Sequence, residues 1–442
     1  MRLMNSLSGI ALVVGLLVTL MGVVRALQQR DTIDAEVARK IVHMGMGSVC
    51  LAFPWIFSDA RAVWALAVIA VASLLAVRLV PALRVRFGAV LGGVNRVSWG
   101  ELYFPCAVAL VFTLAEDDRV AFCAPVAILT YADAAGALVG QRWGRRRYAA
   151  VESTKSLEGS LAVFGVTWIC AAVVLVLLGG VTLERALLVG VVMGVFAALV
   201  EAVSWRGLDN LSVPLVAFAQ MKIYPSLTPG QLIARGAIMV LLAVFMLNWR
   251  RHLLDSSARL GAALAIYFFW SVGDWRWLIA PTILITSYTR LMPTIPGGPP
   301  RHNFMAVLCI ASAGLLWAMA NASVPAEHWL WFYTLGFATQ QAIIAAVRFS
   351  QGRPRWAPWR WWLVGTAQAT GLHAVAFLAV NGVDWWSRPG FVASLFAPGL
   401  ALAAFMGWDR RLQLPEDVNA RWWRQGVIAA LAPAVGFVGM RL

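Results

Sequence analysis

The chain has 442 residues, of which 61% are hydrophobic and only 13% charged, and its mean hydropathy of +0.75 lies outside soluble globular usage. This excludes a soluble enzyme, and the formal charge of +15 is accounted for by arginines in alternate loops of a membrane protein, with no nucleic-acid partner implied. Five cysteines (Cys50, Cys106, Cys123, Cys170 and Cys309) sit singly in apolar segments without CxxC spacing. They are expected to be packed thiols, forming neither a disulfide framework nor a zinc site.

Apolar runs of roughly 15 to 22 residues recur along the whole chain, separated by short Arg-bearing loops, as a bundle of spanning helices requires. The expected fold is therefore all-α, a polytopic integral membrane bundle of roughly 14–16 transmembrane helices. The first helix is expected over 6–25; Arg-rich sequence follows it without a small-residue cleavage site, which marks it as retained. Helices follow over 41–58, 62–80, 101–115, 119–140, 158–179, 185–204, a short one over 211–222, then 231–248, 257–271, 277–290, 303–321, 329–347, 361–381, 389–406 and 424–440.

With the amino terminus outside, the cytoplasmic loops carry Arg25, Arg30, Arg39 and Lys40, then Arg84, Arg86 and Arg96, then Arg142, Arg145, Arg146, Arg147 and Lys155. The opposite loops, Glu116 to Arg119 and Gly179 to Glu184, are poor in net positive charge, and this asymmetry sets the orientation. The 211–222 segment is read as a short crossing broken at Pro214, since otherwise every later Arg-rich loop would change sides. Composition changes after Arg251: the first half places acids at membrane depth or at helix mouths, whereas the second is rich in Trp and Arg with acids at loop edges. Two domains are expected, 1–250 catalytic and 251–442 an additional helical domain without catalytic role.

Asp133 lies in an otherwise apolar helix, where an aspartate costs about 2.5–3.5 kcal/mol on insertion scales and so needs a cation, a metal or a water-filled cavity. Gly136 and Gly140 follow it, small residues that admit a helix or ligand close to the backbone. In "ESTKSLEGSLAVF", Ser156 is placed as an N-cap with Glu158 in the first turn and Lys155 just ahead, an arrangement suited to cradling phosphate. Lys155 is one of only three lysines, with Lys40 and Lys222, against 33 arginines among 36 basic residues. Such bias suggests a need for a compact point charge that guanidinium does not imitate. Glu201 ends one helix, and Asp209 with Asn210 opens the next. Four carboxylates (Asp133, Glu158, Glu201, Asp209) gathered empty would repel, so their convergence calls for metal-type countercharge with Lys155 and the arginines, and metal-bound triphosphate satisfies both signs. His43, one turn after Arg39 and Lys40, is weighed as a base, while Arg39 and Lys40 also suit interfacial anchoring.

The segments "RKIVHMG" (39–45), "YADAAGALVGQRWG" (131–144), "STKSLEGSLAVF" (153–164) and "EAVSWRGLDNLSVPLV" (201–216) resemble, in order and spacing, the phytol kinase and dolichol kinase family, which is related to the phosphatidate cytidylyltransferases. The resemblance covers about residues 30–222. It implies an integral membrane enzyme that uses CTP, with Mg²⁺ as cofactor, to phosphorylate a prenol alcohol such as phytol, geranylgeraniol or dolichol. By position it assigns Asp133, Lys155, Glu201 and Asp209 to catalysis and Gly136, Gly140, Lys155, Ser156, Glu158, Gly159 and Asn210 to nucleotide binding. Asp133, Glu201 and Asp209 are the implied metal ligands, and Arg39, Lys40 and His43 the substrate-binding or base candidates.

The expected partners are the lipid alcohol, the nucleotide and membrane lipids, in a bacterial-type plasma (inner) membrane with the active site on its cytoplasmic face. The competing readings are a cytidylyltransferase forming a CDP-lipid and a multi-pass transporter, since intramembrane acids also describe ion pathways. Against transport, the acids gather at one face beside a phosphate-type helix mouth.

Overall fold

The computed structural model describes residues 5–30, 33, 35–81, 99–149, 154–203, 207–249, 253–293, 301–388, 390–408 and 419–441. The expectations for Arg84, Arg86 and Arg96, and for Arg250 and Arg251, lie outside the described residues. The chain is an all-α polytopic membrane bundle. Among the described residues, 10 helices are long and apolar enough to cross a membrane, fewer than the 14–16 expected because several apolar runs are short or interrupted helices. Contacts divide the chain into two compact units, Met1–Ala237 and Ile238–Leu442.

The first unit begins with α1 (Ser6–Gln29) and α2 (Ala35–Leu51), followed by the short α3 (Phe53–Ile56), α4 (Ala60–Leu79) and α5 (Gly100–Ala115). The run expected over 41–58 in fact starts at Ala35 and breaks at Ala52, with Pro54 at the start of α3, where proline's missing N–H is harmless. Arg39, Lys40 and His43 therefore all lie within α2, and the expected placement of Arg39 and Lys40 in a loop is corrected. Next comes α6 (Arg119–Ala127), N-capped by Asp118 through the Ala121 N–H at 2.9 Å. A π-helical turn over Ile128–Ala132 then leads into α7 (Asp133–Trp143).

A small antiparallel hairpin follows, β1 (Arg147–Ala149) and β2 (Thr154–Ser156), pairing Tyr148 with Lys155. The helical pattern gave no sign of it. The hairpin feeds α8 (Leu157–Leu177), which packs against α9 (Leu183–Ala202). Gly190 and Gly194 of α9, four residues apart, lie so close to Trp168 and Phe164 that an added Cβ would stand 2.7 and 2.8 Å from their carbonyl oxygens. This is the small-residue packing of membrane helices, where dispersion rather than water exclusion holds the pair together.

The 211–222 segment is α10 (Asp209–Ile223), which runs through Pro214 without a break, so the interruption expected there is corrected. At one end the Asn210 amide donates to the Gly100 carbonyl at the start of α5 (3.0 Å), and at the other Lys222 meets Asp118, beyond the end of α5 (3.3 Å). Its 15 residues, about 22 Å of helix, thus run alongside α5 from its start to just beyond its end. Of the membrane-length window of α11 (Pro229–Asn248), in which the unit boundary falls, only 17% is buried, as for α1. Their exposed faces carry Leu7, Leu16, Ile233, Leu241 and Phe245, a lipid-facing composition.

The second unit comprises α12 (Ser256–Val272), α13 (Ile279–Arg290), α14 (Phe304–Ser323), α15 (Glu327–Gly352), α16 (Pro358–Asn381), α17 (Phe391–Ser394), α18 (Ala397–Trp408) and α19 (Asn419–Arg441). Two expected helices are shorter: the 277–290 run spends its start on a 3₁₀ turn (Trp275–Leu278), and the 389–406 run breaks between α17 and α18. Helix α15 is the axis, its membrane-length window wholly buried. Ala342, Ile343, Ala346 and Val347 form its core with Ala369, Leu402 and Phe405. Polar ties hold its flanks, with Tyr333 Oη donating to the Trp277 carbonyl (2.7 Å) and Trp331 Nε1 to Ser394 Oγ (2.8 Å).

Candidate active site

The π-helical turn sets the position of Asp133. Pro125 withholds an N–H from the ladder one turn earlier, and the widened turn brings the Leu129 carbonyl to His43 Nε2 at 3.1 Å. Such turns inside α-helices concentrate at functional sites. Helix α2 approaches closely because Gly47 faces Thr130, whose Oγ1 leaves no room for a Cβ there. That approach delivers Lys40, only 4% exposed, to Asp133: Nζ and Oδ2 are 2.6 Å apart, with His43 Nε2 at 3.6 Å from the same oxygen. His43 stacks edge-on against Phe104 at 4.9 Å. Arg39 turns to Glu36 instead (2.6 Å) and does not reach Asp133 by a direct ion pair.

A second lysine–carboxylate pair lies on the other side. Lys155, the middle residue of β2, donates to both the side-chain Oε1 and the backbone carbonyl of Glu201 near the end of α9. The hairpin that carries Lys155 is fastened to α8 by Tyr148, whose Oη shares a hydrogen bond with Ser160 Oγ (2.7 Å). Burial pushes the Tyr148 phenol above its ordinary range, keeping it a neutral hydrogen bonder. Ser156 caps α8 as expected, its Oγ accepting from the Gly159 N–H at 3.1 Å.

Asp133, Glu201, Asp209 and Asn210 line one small cavity together with Ile128, Leu129, Ala132, Val163 and Val213. Three of the four carboxylates foreseen as a cluster thus converge with the amide. Glu158 does not: its carboxylate accepts from the backbone N–H groups of Arg145 (3.1 Å) and Arg146 (3.2 Å), stapling the loop ahead of the hairpin. The Leu157 N–H donates to the Arg146 carbonyl (2.9 Å), so with Gly159 bound to Ser156 two of the N–H groups at this helix mouth are committed within the protein. Gly136, Gly140 and Gly159 form the crossing of α7 on α8: a Cβ at Gly159 would stand 2.8 Å from the Gly136 carbonyl oxygen and 3.2 Å from Gly140 Cα. They place the start of α8, and with it Lys155, by close packing.

Asn210 Nδ2 is tied to Gly100, while its Oδ1 is buried without a hydrogen-bond partner. The Gly100 contact and the Lys40–Asp133 pairing were not legible in the sequence. The one signal pointing to the latter was the scarcity of lysine.

Among the described residues no three His, Cys, Asp or Glu side chains gather closely enough to enclose a metal ion by themselves. The donor chemistry nevertheless fits Mg²⁺, a hard cation that takes one or two carboxylates and fills its remaining positions with phosphate oxygens and water. The cavity supplies hard oxygens only, one of them the unsatisfied Asn210 Oδ1.

The first unit is thus a membrane-helix bundle in which two lysine–carboxylate pairs flank a small cavity lined by carboxylates and apolar side chains. The chain is 33% identical over 210 residues to the phytol kinase of Synechocystis sp., a match covering 46% of this chain and 87% of that protein. The chain therefore belongs to the phytol kinase family. No protein-family model matches it, and no solved structure does.

Proposed function

We propose that the protein is a CTP-dependent lipid kinase that converts a membrane-embedded prenol alcohol, of the phytol, geranylgeraniol or dolichol type, to its monophosphate. The observation that carries this reading is the convergence of Asp133, Glu201, Asp209 and Asn210 on one cavity with Lys40 and Lys155 closed onto two of the carboxylates. Two kinds of charge stand there in mutual neutralisation, so a triphosphate entering with a cation can exchange partners: lysine to phosphate, carboxylate to cation. Buried pairs of this kind hold each charge only while the other remains.

The alcohol lies with its hydroxyl at the cytoplasmic interface of a bacterial-type inner membrane and the nucleotide enters from water. Lys155 grips the phosphates, and Lys40 fixes the Asp133 carboxylate at the π-helical turn. The alcohol oxygen attacks the γ-phosphorus, the bond from that phosphorus to the β,γ-bridging oxygen breaks, CDP leaves, and the hydroxyl proton passes to one of the three cavity carboxylates. The work of the protein is positioning and electrostatic stabilisation, since phosphoryl transfer needs little covalent help. Asp133, Glu201 or Asp209 with Asn210 would hold Mg²⁺, which would neutralise charge on the phosphate oxygens. Catalysis is assigned to residues 1–250, and 251–442 are given no part in the transfer.

The test uses purified protein with γ-labelled CTP, Mg²⁺ and phytol, geranylgeraniol or dolichol in turn. Label in a lipid monophosphate with one of these alcohols supports the reading and ranks the substrates. Bound CTP with no label transferred to any of them would contradict it.

A further inference from the structure

The second unit contains a buried group of hydrogen-bond donors that the kinase reading does not use. Arg348 of α15 is 4% exposed, and its Nε and Nη1 are buried without hydrogen-bond partners. Its guanidinium lies over the Tyr288 ring at 5.1 Å; Tyr288 Oη shares a hydrogen bond with His302 Nε2 (2.8 Å), and the His302 ring packs edge-on to Trp422 at 5.8 Å. Trp422, 2% exposed, has its Nε1 donor unsatisfied, and Gln341, two helical turns before Arg348 on the same face of α15, has both amide atoms unsatisfied. Arg421, also 2% exposed, lies over the Trp422 ring at 5.7 Å.

The described carboxylates of this unit are engaged elsewhere or exposed. Asp255 caps α12 through the Ala258 N–H (2.7 Å), Asp274 takes Arg276 (2.7 Å), Glu327 takes Arg388 (3.2 Å), and Asp384 is exposed. Two buried guanidinium nitrogens and a buried indole N–H left without acceptors are costly in a low-dielectric interior, and such groups ordinarily mark a bound ion or water. Since, among the described residues, the surplus is of donors and the charge around them is positive, the ligand that matches them is rich in acceptors and negative.

We propose that Arg348, Trp422 and Gln341 form a binding site for a phosphate-type oxyanion, either free phosphate or the head of a lipid monophosphate. Guanidinium suits such oxyanions by charge and by its planar array of donors. The site does not depend on what the first unit catalyses.

The experiment measures equilibrium binding to the full-length chain carrying Lys155→Met, which removes the lysine assigned to phosphate in the first unit, in nanodiscs of phosphatidylcholine alone. The probes are labelled inorganic phosphate and labelled geranylgeranyl monophosphate. Saturable binding of either probe, weakened roughly 10-fold or more by Arg348→Met and about threefold by Trp422→Phe, is the expected result. Binding of inorganic phosphate identifies the free anion; binding of the prenyl phosphate alone identifies the lipid head. Should Arg348→Met fail to give monodisperse protein, Trp422→Phe decides, since it deletes one N–H and little volume. No saturable binding of either probe, or binding unaltered by Trp422→Phe and by a folded Arg348→Met, would overturn the proposal.

Discussion

All three lysines of the chain lie against a carboxylate: Lys40 against Asp133, Lys155 against Glu201 and Lys222 against Asp118. The first two belong to the cavity, and they are where substitution should speak most clearly. Lys155→Met is expected to lower kcat by about 10²-fold or more while leaving expression and monodispersity close to wild type, and Lys155→Arg should rescue poorly because a planar fork does not occupy an ammonium's place. Activity unchanged in Lys155→Met would remove that residue from the mechanism. The Lys40–Asp133 pair gives a different signature. Asp133→Ala strands a lysine that is 4% exposed, a change of the class that costs about 3–5 kcal/mol, and Lys40→Met made with it should recover much of the lost thermal stability while activity stays lost. If the double variant is no more stable than Asp133→Ala alone, the pair is not the stabilising contact described here. At this scale the sequence was informative about which side chains matter, because acids and lysines are expensive in an apolar chain. It was silent on pairing: nothing in the one-dimensional order joins Lys40 to a residue 93 positions away, or turns Glu158 from the nucleotide toward the Arg145–Arg146 backbone.

Helices α7 and α8 place the cavity's edge through three glycines, and their packing can be tested against a glycine that touches nothing. Gly159→Ala should reduce both stability and turnover, since its Cβ would meet the Gly136 carbonyl oxygen at 2.8 Å; Gly165→Ala, on the same helix with nothing within 4 Å, should be silent or slightly stabilising. Equal thermal midpoints for the two variants would contradict the close-crossing account. The long helices were readable from apolar length alone: α8 and α9 lie within two residues of their expected bounds. What was missed has a common physical cause. The π-helical turn at Ile128–Ala132, the break at Ala52 and the hairpin from Arg147 to Ser156 each depend on hydrogen bonds made or forgone by the backbone, which hydropathy does not register. Pro125 and Pro54 were the only local hints.

Across the whole molecule, membrane character and an all-helical bundle followed from composition, because a chain this apolar can satisfy its backbone only within helices. The fold separates residues 1–237 from 238–442, and the kinase reading draws every residue it uses from the first unit. A chain ended after Asn248 is therefore expected to retain CTP-dependent label transfer once solubilised. Loss of transfer from a folded truncation would give the second unit a part in catalysis. The most direct measurement of the central claim is a comparison of α-labelled and γ-labelled CTP with the preferred prenol and the full-length protein. A prenol kinase cleaves between the β and γ phosphates, so the lipid should acquire γ-label and no α-label, with one CDP released per lipid phosphorylated. Appearance of α-label in the lipid, accompanied by pyrophosphate, would contradict the kinase account and establish a cytidylyltransferase in its place.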